Sequence, residues 1–173
     1  MVSFGGGKIM PKVQAGAVAP AFALPGLNGQ SHSLSDALKK GPVLAAFFKI
    51  SCPVCQFTFP FLQRLYETYG KANLSFWGIS QDDVPDTREF LNEFGVKFPS
   101  LIDANGYKVS KQYGLTHVPS IFFIQPDGKV HTVSVGFTKR DLESIAAELA
   151  KASGKPMQPV FLPGEKVPEH RPG

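Results

Sequence analysis

Continuous apolar runs alternate along this chain with segments whose apolar residues recur every three or four positions. PVLAAFFKI (42–50) and LSFWGIS (74–80) show no polar face, which predicts strands covered on both sides. After the first run, Phe57, Phe61, Leu62, Leu65 and Tyr69 follow a helical period. They predict a helix over 53–69, kinked at Pro60 and stopped by Gly70. Asp83 and Pro85 open a second helix carrying Phe90, Leu91 and Phe94, which Gly95 ends. A short strand near 100–102 and a helix over about 106–113 come next. SIFFIQPDGKVHTVSVG (120–136) reads as a hairpin around Pro126-Asp127-Gly128. Thr138 and Asp141 resemble a capping box on the last helix. Leu142, Ile145, Ala146 and Leu149 form its apolar face, and Gly154 is its stop.

Ahead of the first run, APAFALPGLNGQSHSLSDAL (19–38) holds two short β-like pieces around Asn28-Gly29 and a helical turn at 35–38. The order β-α-β-α-β-α-β-β-α contains helical crossovers, which demand parallel strands, and ends in an antiparallel hairpin. The fold class is α/β, a three-layer sandwich with a mixed central sheet and helices on both faces. Three regions are expected: a flexible Gly-rich lead-in (1–16), one domain (17–153) and a proline-rich tail (154–173). The last nineteen residues hold five prolines, too many for a helix or a central strand.

Composition narrows the function classes. The net charge of +4 comes from 18 basic and 14 acidic residues, with no Lys/Arg block longer than two. A nucleic-acid partner needs a clustered basic face, so none is expected. No stretch reaches the roughly 18 apolar residues of a membrane span. MVSFGGGKIM has no hydrophobic signal core, so the chain as given reads as cytoplasmic, or as periplasmic if a signal or anchor was removed. A monomer is expected.

Both cysteines, Cys52 and Cys55, stand within KISCPVCQFTFPFL (49–62), where a buried strand gives way to a helix. Three readings compete: a redox pair, half of a zinc site, or two inert buried neighbours. Zinc needs a second ligand pair, and His32, His117, His131 and His170 are scattered without such spacing. A helix start offers free N–H groups and the positive end of the macrodipole, both of which favour a thiolate. Lys49 adds positive potential and is a candidate tuning residue. The first cysteine of such a pair is the usual nucleophile, and the second, one turn on, can resolve a mixed disulfide. Pro53 suits the first helical position.

CxxC at a strand–helix junction, together with THVPSIFFI (116–124) leading into a hairpin, resembles the thioredoxin superfamily. In that superfamily a cis-proline faces the cysteines, and Pro119, preceded by Val118, matches it by position. The long gap between Cys52 and Pro119 implies an inserted β-α unit around 85–102. With the 19–38 segment, this looks like the redoxin branch: the alkyl hydroperoxide reductase/thiol-specific antioxidant group and its relatives, the thiol–disulfide reductases of cytochrome c maturation. The resemblance covers about residues 17–153.

It implies a thiol–disulfide oxidoreductase with Cys52, Cys55 and Pro119 as catalytic residues, and Val118, Pro53 and Val54 at the substrate surface. No cofactor is expected beyond a redox-active Cys52–Cys55 disulfide, and no metal. The partner would be a protein disulfide or dithiol, or a thioredoxin-type protein, in antioxidant or redox-homeostasis roles in a bacterium. Departures from the pattern are Ser51 in place of Trp, Ala46 where thioredoxins bury an acid, and Thr58 where the maturation reductases carry one. The PxxxTxxC of peroxiredoxins is missing. Two alternatives stand: a peroxiredoxin-like hydroperoxide reductase, and a copper-binding module in which His117 joins both cysteines. Short of that, His117 is a candidate for tuning the thiolate.

Overall fold

A computed structural model describes residues 10–71 and 73–173. A hairpin of β1 (Ala23–Pro25) and β2 (Ser31–Ser33) leads into α1 (Leu34–Leu38), capped by the Ser33 hydroxyl accepting from Asp36 N–H at 3.1 Å. The first apolar run becomes β3 (Val43–Phe48), with all six residues buried. It continues into α2 (Pro53–Tyr69), then β4 (Ser75–Ser80) and α3 (Val84–Glu93). Then come β5 (Ser100–Ile102), α4 (Lys108–Gln112), β6 (Ser120–Ile124), β7 (Val130–Val135), β8 (Phe137–Thr138), α5 (Lys139–Ser153) and β9 (His170–Arg171).

The central sheet has the order β5-β4-β3-β6-β7. β4 runs parallel to β3 and to β5, while β6 is antiparallel to both β3 and β7. Side chains alternate across a strand, so β3 feeds two cores. Leu44, Ala46 and Phe48 join one built with Phe59, Leu62, Phe90 and the Ile145 face of α5. Val43, Ala45 and Phe47 join the other, closed by Phe22, Leu34, Val109 and Tyr113. The expected α/β sandwich is therefore observed, and α3 and β5 occupy the 85–102 region, with β5 at the edge of the sheet beside β4.

Four expectations need correction or narrowing. The first nine residues of the lead-in lie outside the described residues, but residues 10–16 pack against the domain. Lys12 and Val13 N–H donate to the Gly114 and Tyr113 carbonyls at 3.1 and 3.2 Å, and Val13 is buried. The proline-rich tail is likewise docked: Val160 is buried and β9 pairs with β8. Thr138 forms no capping bond, because it is a residue of β8; Asp141 accepts from Ser134 Oγ at 2.9 Å instead. Helix α4 is shorter than expected. Tyr107 is left-handed (φ 53°), and the buried Asp103 carboxylate receives the Val109 and Ser110 N–H groups at 3.1 and 2.8 Å.

Candidate active site

Strand β3 stops at the carboxyl edge of the sheet, and residues 49–52 turn the chain into α2. Three bonds pin that turn. Cys52 N–H donates to the Lys49 carbonyl at 3.2 Å. Ile50 N–H donates to the Asp82 carboxylate at 2.8 Å, and Gln56 Nε2 donates to the Ile50 carbonyl at 2.9 Å. Cys52 is the N-cap of α2, in extended conformation, and its sulfur accepts from Cys55 N–H at 3.1 Å. An N-cap is usually an oxygen-bearing side chain; here a sulfur takes that place. Pro53 occupies the first turn, where its missing N–H costs nothing.

Facing this turn is the loop before β6. The Val118–Pro119 peptide is cis, and Cys52 as a thiol donates to the Val118 carbonyl at 3.5 Å. Ser120 Oγ donates to the His117 carbonyl at 2.6 Å, and Gly136 N–H to the Pro119 carbonyl at 2.8 Å. The loop is thereby tied to the start of β6 and the end of β7.

Their surroundings make the two thiols unequal. Cys52 is half-buried and its pKa is held down at about 6. The hydrogen bond from the Cys55 side chain contributes most; burial opposes it, and the N–H groups of Cys55 and Val54 and the positive charge of Arg171 add to it. Cys55 is fully buried, and burial pushes its thiol far above the ordinary range. Its bond to Cys52 and the negative charges of Cys52 and Asp82 push the same way. Both cysteines are free, and the opposite shifts leave the half-buried Cys52 sulfur a thiolate at neutral pH while the buried Cys55 keeps its proton. A thiolate at a helix start attacks electrophilic sulfur or oxygen.

The expected residues mostly converge here. Pro53 is exposed, Val54 and Val118 are half-buried, and Pro119 is buried, all bordering the Cys52 turn. Lys49 is exposed, and its part is played through its backbone. His117 buries its Nδ1 with no hydrogen-bond partner among the described residues. Among the described residues no group of three or more His, Cys, Asp or Glu side chains is arranged to hold a metal ion, so His117 does not stand with both sulfurs as the copper-binding alternative requires. Ala46 packs in an apolar core and Thr58 Oγ1 bonds the Val54 carbonyl at 2.6 Å, so neither position offers a carboxylate.

Two charged residues escaped the sequence reading. Asp82 just follows β4, whose carboxyl end lies beside that of β3; a polar residue at the carboxyl edge of parallel strands was the available signal. Arg171 arrives from the docked tail, and no spacing or periodicity announces it.

Comparison with known proteins agrees with this geometry. Residues 15–133 match the AhpC/TSA family. The chain is 34% identical over 134 residues to the thiol-disulfide oxidoreductase ResA of Bacillus thuringiensis (strain Al Hakam), an alignment covering 76% of each. It shares its fold with the thioredoxin domain of a thiol-disulfide oxidoreductase from Bacteroides vulgatus, at 24% identity and TM-score 0.69, covering 79% of this chain and 98% of that one. Peroxidoxin BcpB from Mycobacterium tuberculosis superposes with TM-score 0.65 at 25% identity, covering 82% and 97%. The chain belongs to the AhpC/TSA family, and its fold is thioredoxin-like.

Proposed function

We propose that Cys52 and Cys55 are the exchanging pair of this chain, a thiol–disulfide oxidoreductase, with Cys52 the nucleophile and Cys55 the resolving thiol. One observation carries the assignment of roles: Cys52 is accessible with its pKa lowered to about 6, whereas Cys55 is buried and raised. In the reducing direction, the Cys52 thiolate attacks one sulfur of a substrate disulfide. A Cys52–substrate disulfide forms, and the second substrate sulfur leaves as a thiolate that takes up a proton. Cys55 then loses its proton and attacks the Cys52 sulfur. The Cys52–Cys55 disulfide forms, the first substrate sulfur is released, and two electrons have passed to the substrate.

Transfer of charge from Cys52 lowers the cost of ionising Cys55, because the neighbouring thiolate is then gone. Pro119 shapes the docking surface, and backbone groups flanking Val118 pair with an extended segment of the substrate. Pro53 and Val54 supply apolar contacts beside the sulfur. The partner is a protein disulfide or dithiol, or a thioredoxin-type protein.

Cys52→Ser tests the assignment in insulin reduction driven by dithiothreitol. Activity should fall to the uncatalysed rate, and unchanged turnover would refute it. The likeness to Peroxidoxin BcpB supports a second reading. Cys52 would attack a hydroperoxide oxygen, releasing alcohol or water and leaving a sulfenic acid. Cys55 would condense with it to the disulfide with loss of water. Saturable peroxide consumption that disappears in Cys52→Ser would establish this activity; its absence in the wild type would exclude it.

A further inference from the structure

Residues 155–173 run back along α2, from its C-terminal end to the cysteine turn. Lys155 Nζ donates to the Thr68 carbonyl at 3.0 Å, and Gln158 N–H donates to Tyr69 Oη at 2.8 Å. One to two turns back, Arg64 donates to the Val160 carbonyl at 3.1 Å and to the Glu165 carboxylate at 2.8 Å. Phe161 then meets Phe61, with ring centroids 5.2 Å apart. Finally β9 sets Arg171 opposite Phe137, and its guanidinium lies 4.7 Å over the ring of Phe57, two residues beyond Cys55.

The end of this path is packed against the active-site loop. A Cβ added to Gly136 would lie 2.6 Å from the Arg171 carbonyl oxygen, and one added to Gly173 would lie 2.5 Å from the Val118 carbonyl oxygen. Such approaches leave no room for side chains, so the segment is seated backbone to backbone. The Val118 carbonyl it touches is also the one that Cys52 faces.

We propose that Arg171 is a positioning residue of the active site: held by the β8–β9 pairing and by its stack on Phe57, its guanidinium presents a fixed positive charge to the Cys52 sulfur. The inference rests on the reading of Cys52 as the attacking thiol. Arginine suits this place because its flat, delocalised cation stacks on an aromatic face and stays charged at any working pH. The titratable and charged groups acting on Cys52 are Cys55 from α2 and Arg171 from β9, while Asp82, after β4, acts on Cys55. Arg171 is thus the lone cation in that set, and its attraction adds to the hydrogen bonds that keep Cys52 ionised. Its share is the smallest of these influences, so removing the charge should move the Cys52 titration by roughly half a unit, about a threefold loss of thiolate below its midpoint.

The test is the pH profile of Cys52 alkylation by iodoacetamide, read by peptide mass spectrometry on the full chain. Arg171→Gln should shift the midpoint upward by about half a unit. Arg171→Met keeps apolar contact with Phe57 but no charge, and should shift it equally. Arg171→Lys restores the charge and should hold the midpoint near the wild-type value. An unmoved midpoint in Arg171→Gln overturns the proposal. Equal shifts in all three variants overturn it too, since they would mean that seating of the segment matters and charge does not. A wild-type Cys52 that titrates like an ordinary thiol would instead refute the underlying reading of Cys52.

Discussion

The depressed pKa of Cys52 has a dominant cause that can be removed. The Cys55 side chain is the largest single influence lowering it, from an ordinary 9.0 to about 6. At pH 7 the wild-type sulfur is therefore about 90% thiolate, against about 1% for an ordinary cysteine. More thiolate does not mean proportionally faster attack. Nucleophilicity falls with pKa by a Brønsted slope of about 0.4–0.5, so a three-unit depression weakens each thiolate about 20-fold and leaves a net gain of roughly fourfold. Cys55→Ala deletes the side-chain bond and leaves the N–H donors and Arg171 in place. If that bond carries about half of the depression, the Cys52 pKa rises by roughly 1.5 units.

The consequence is a crossing of two pH–rate curves for iodoacetamide alkylation. At pH 6 the variant should react about threefold more slowly, because loss of thiolate outweighs its greater nucleophilicity. At pH 9, where both proteins are ionised, it should react about fivefold faster. Thiolate absorbance at 240 nm gives the titration independently, since Cys55→Ala leaves one thiol. An unshifted midpoint, or curves that do not cross, would refute the argument and assign the depression to the helix terminus alone.

Two further outcomes follow from the same geometry. Asp82 opposes ionisation of Cys55 while it accepts from Ile50 N–H. Asp82→Asn keeps an acceptor and loses the charge, so release of the mixed disulfide by Cys55, followed by stopped flow, should quicken roughly two- to fivefold. A slower release would mean that Asp82 takes the Cys55 proton. Gly136 has φ +73° and no room for a Cβ beside residues 171–173. Gly136→Ala should cost about 1–3 kcal/mol in urea unfolding and raise the Cys52 titration by loosening Arg171; wild-type stability in this variant would contradict the close packing.

The fold was legible where physical signals are local. β3 and β4 announce themselves by lacking a polar face, α2 by its period and Gly70, and the cysteine turn by CxxC at their junction. The cis peptide at Pro119 was legible only through the family resemblance that Val-Pro before a hairpin carries. The sequence reading failed where long-range contacts decide. Thr138 and Asp141 have the spacing of a cap, yet β9 claims the first residue as a strand partner and Ser134 claims the second. Proline density excludes regular structure in residues 154–173 but does not forbid docking, which depends on Val160, Phe161 and Arg171 meeting α2 and β8. Arg171 and Asp82 reach the site through tertiary structure, so neither spacing nor composition could assign them.

The central claim, that Cys52 and Cys55 cycle together between dithiol and disulfide, is tested most directly by their reduction potential. Equilibration in glutathione buffers with thiol trapping should show one two-electron transition, with a tenfold change in ratio per about 30 mV. Stabilisation of the Cys52 thiolate favours the reduced form, so the midpoint should lie above thioredoxin's roughly −270 mV. Failure to form an intramolecular disulfide at any potential would contradict the account.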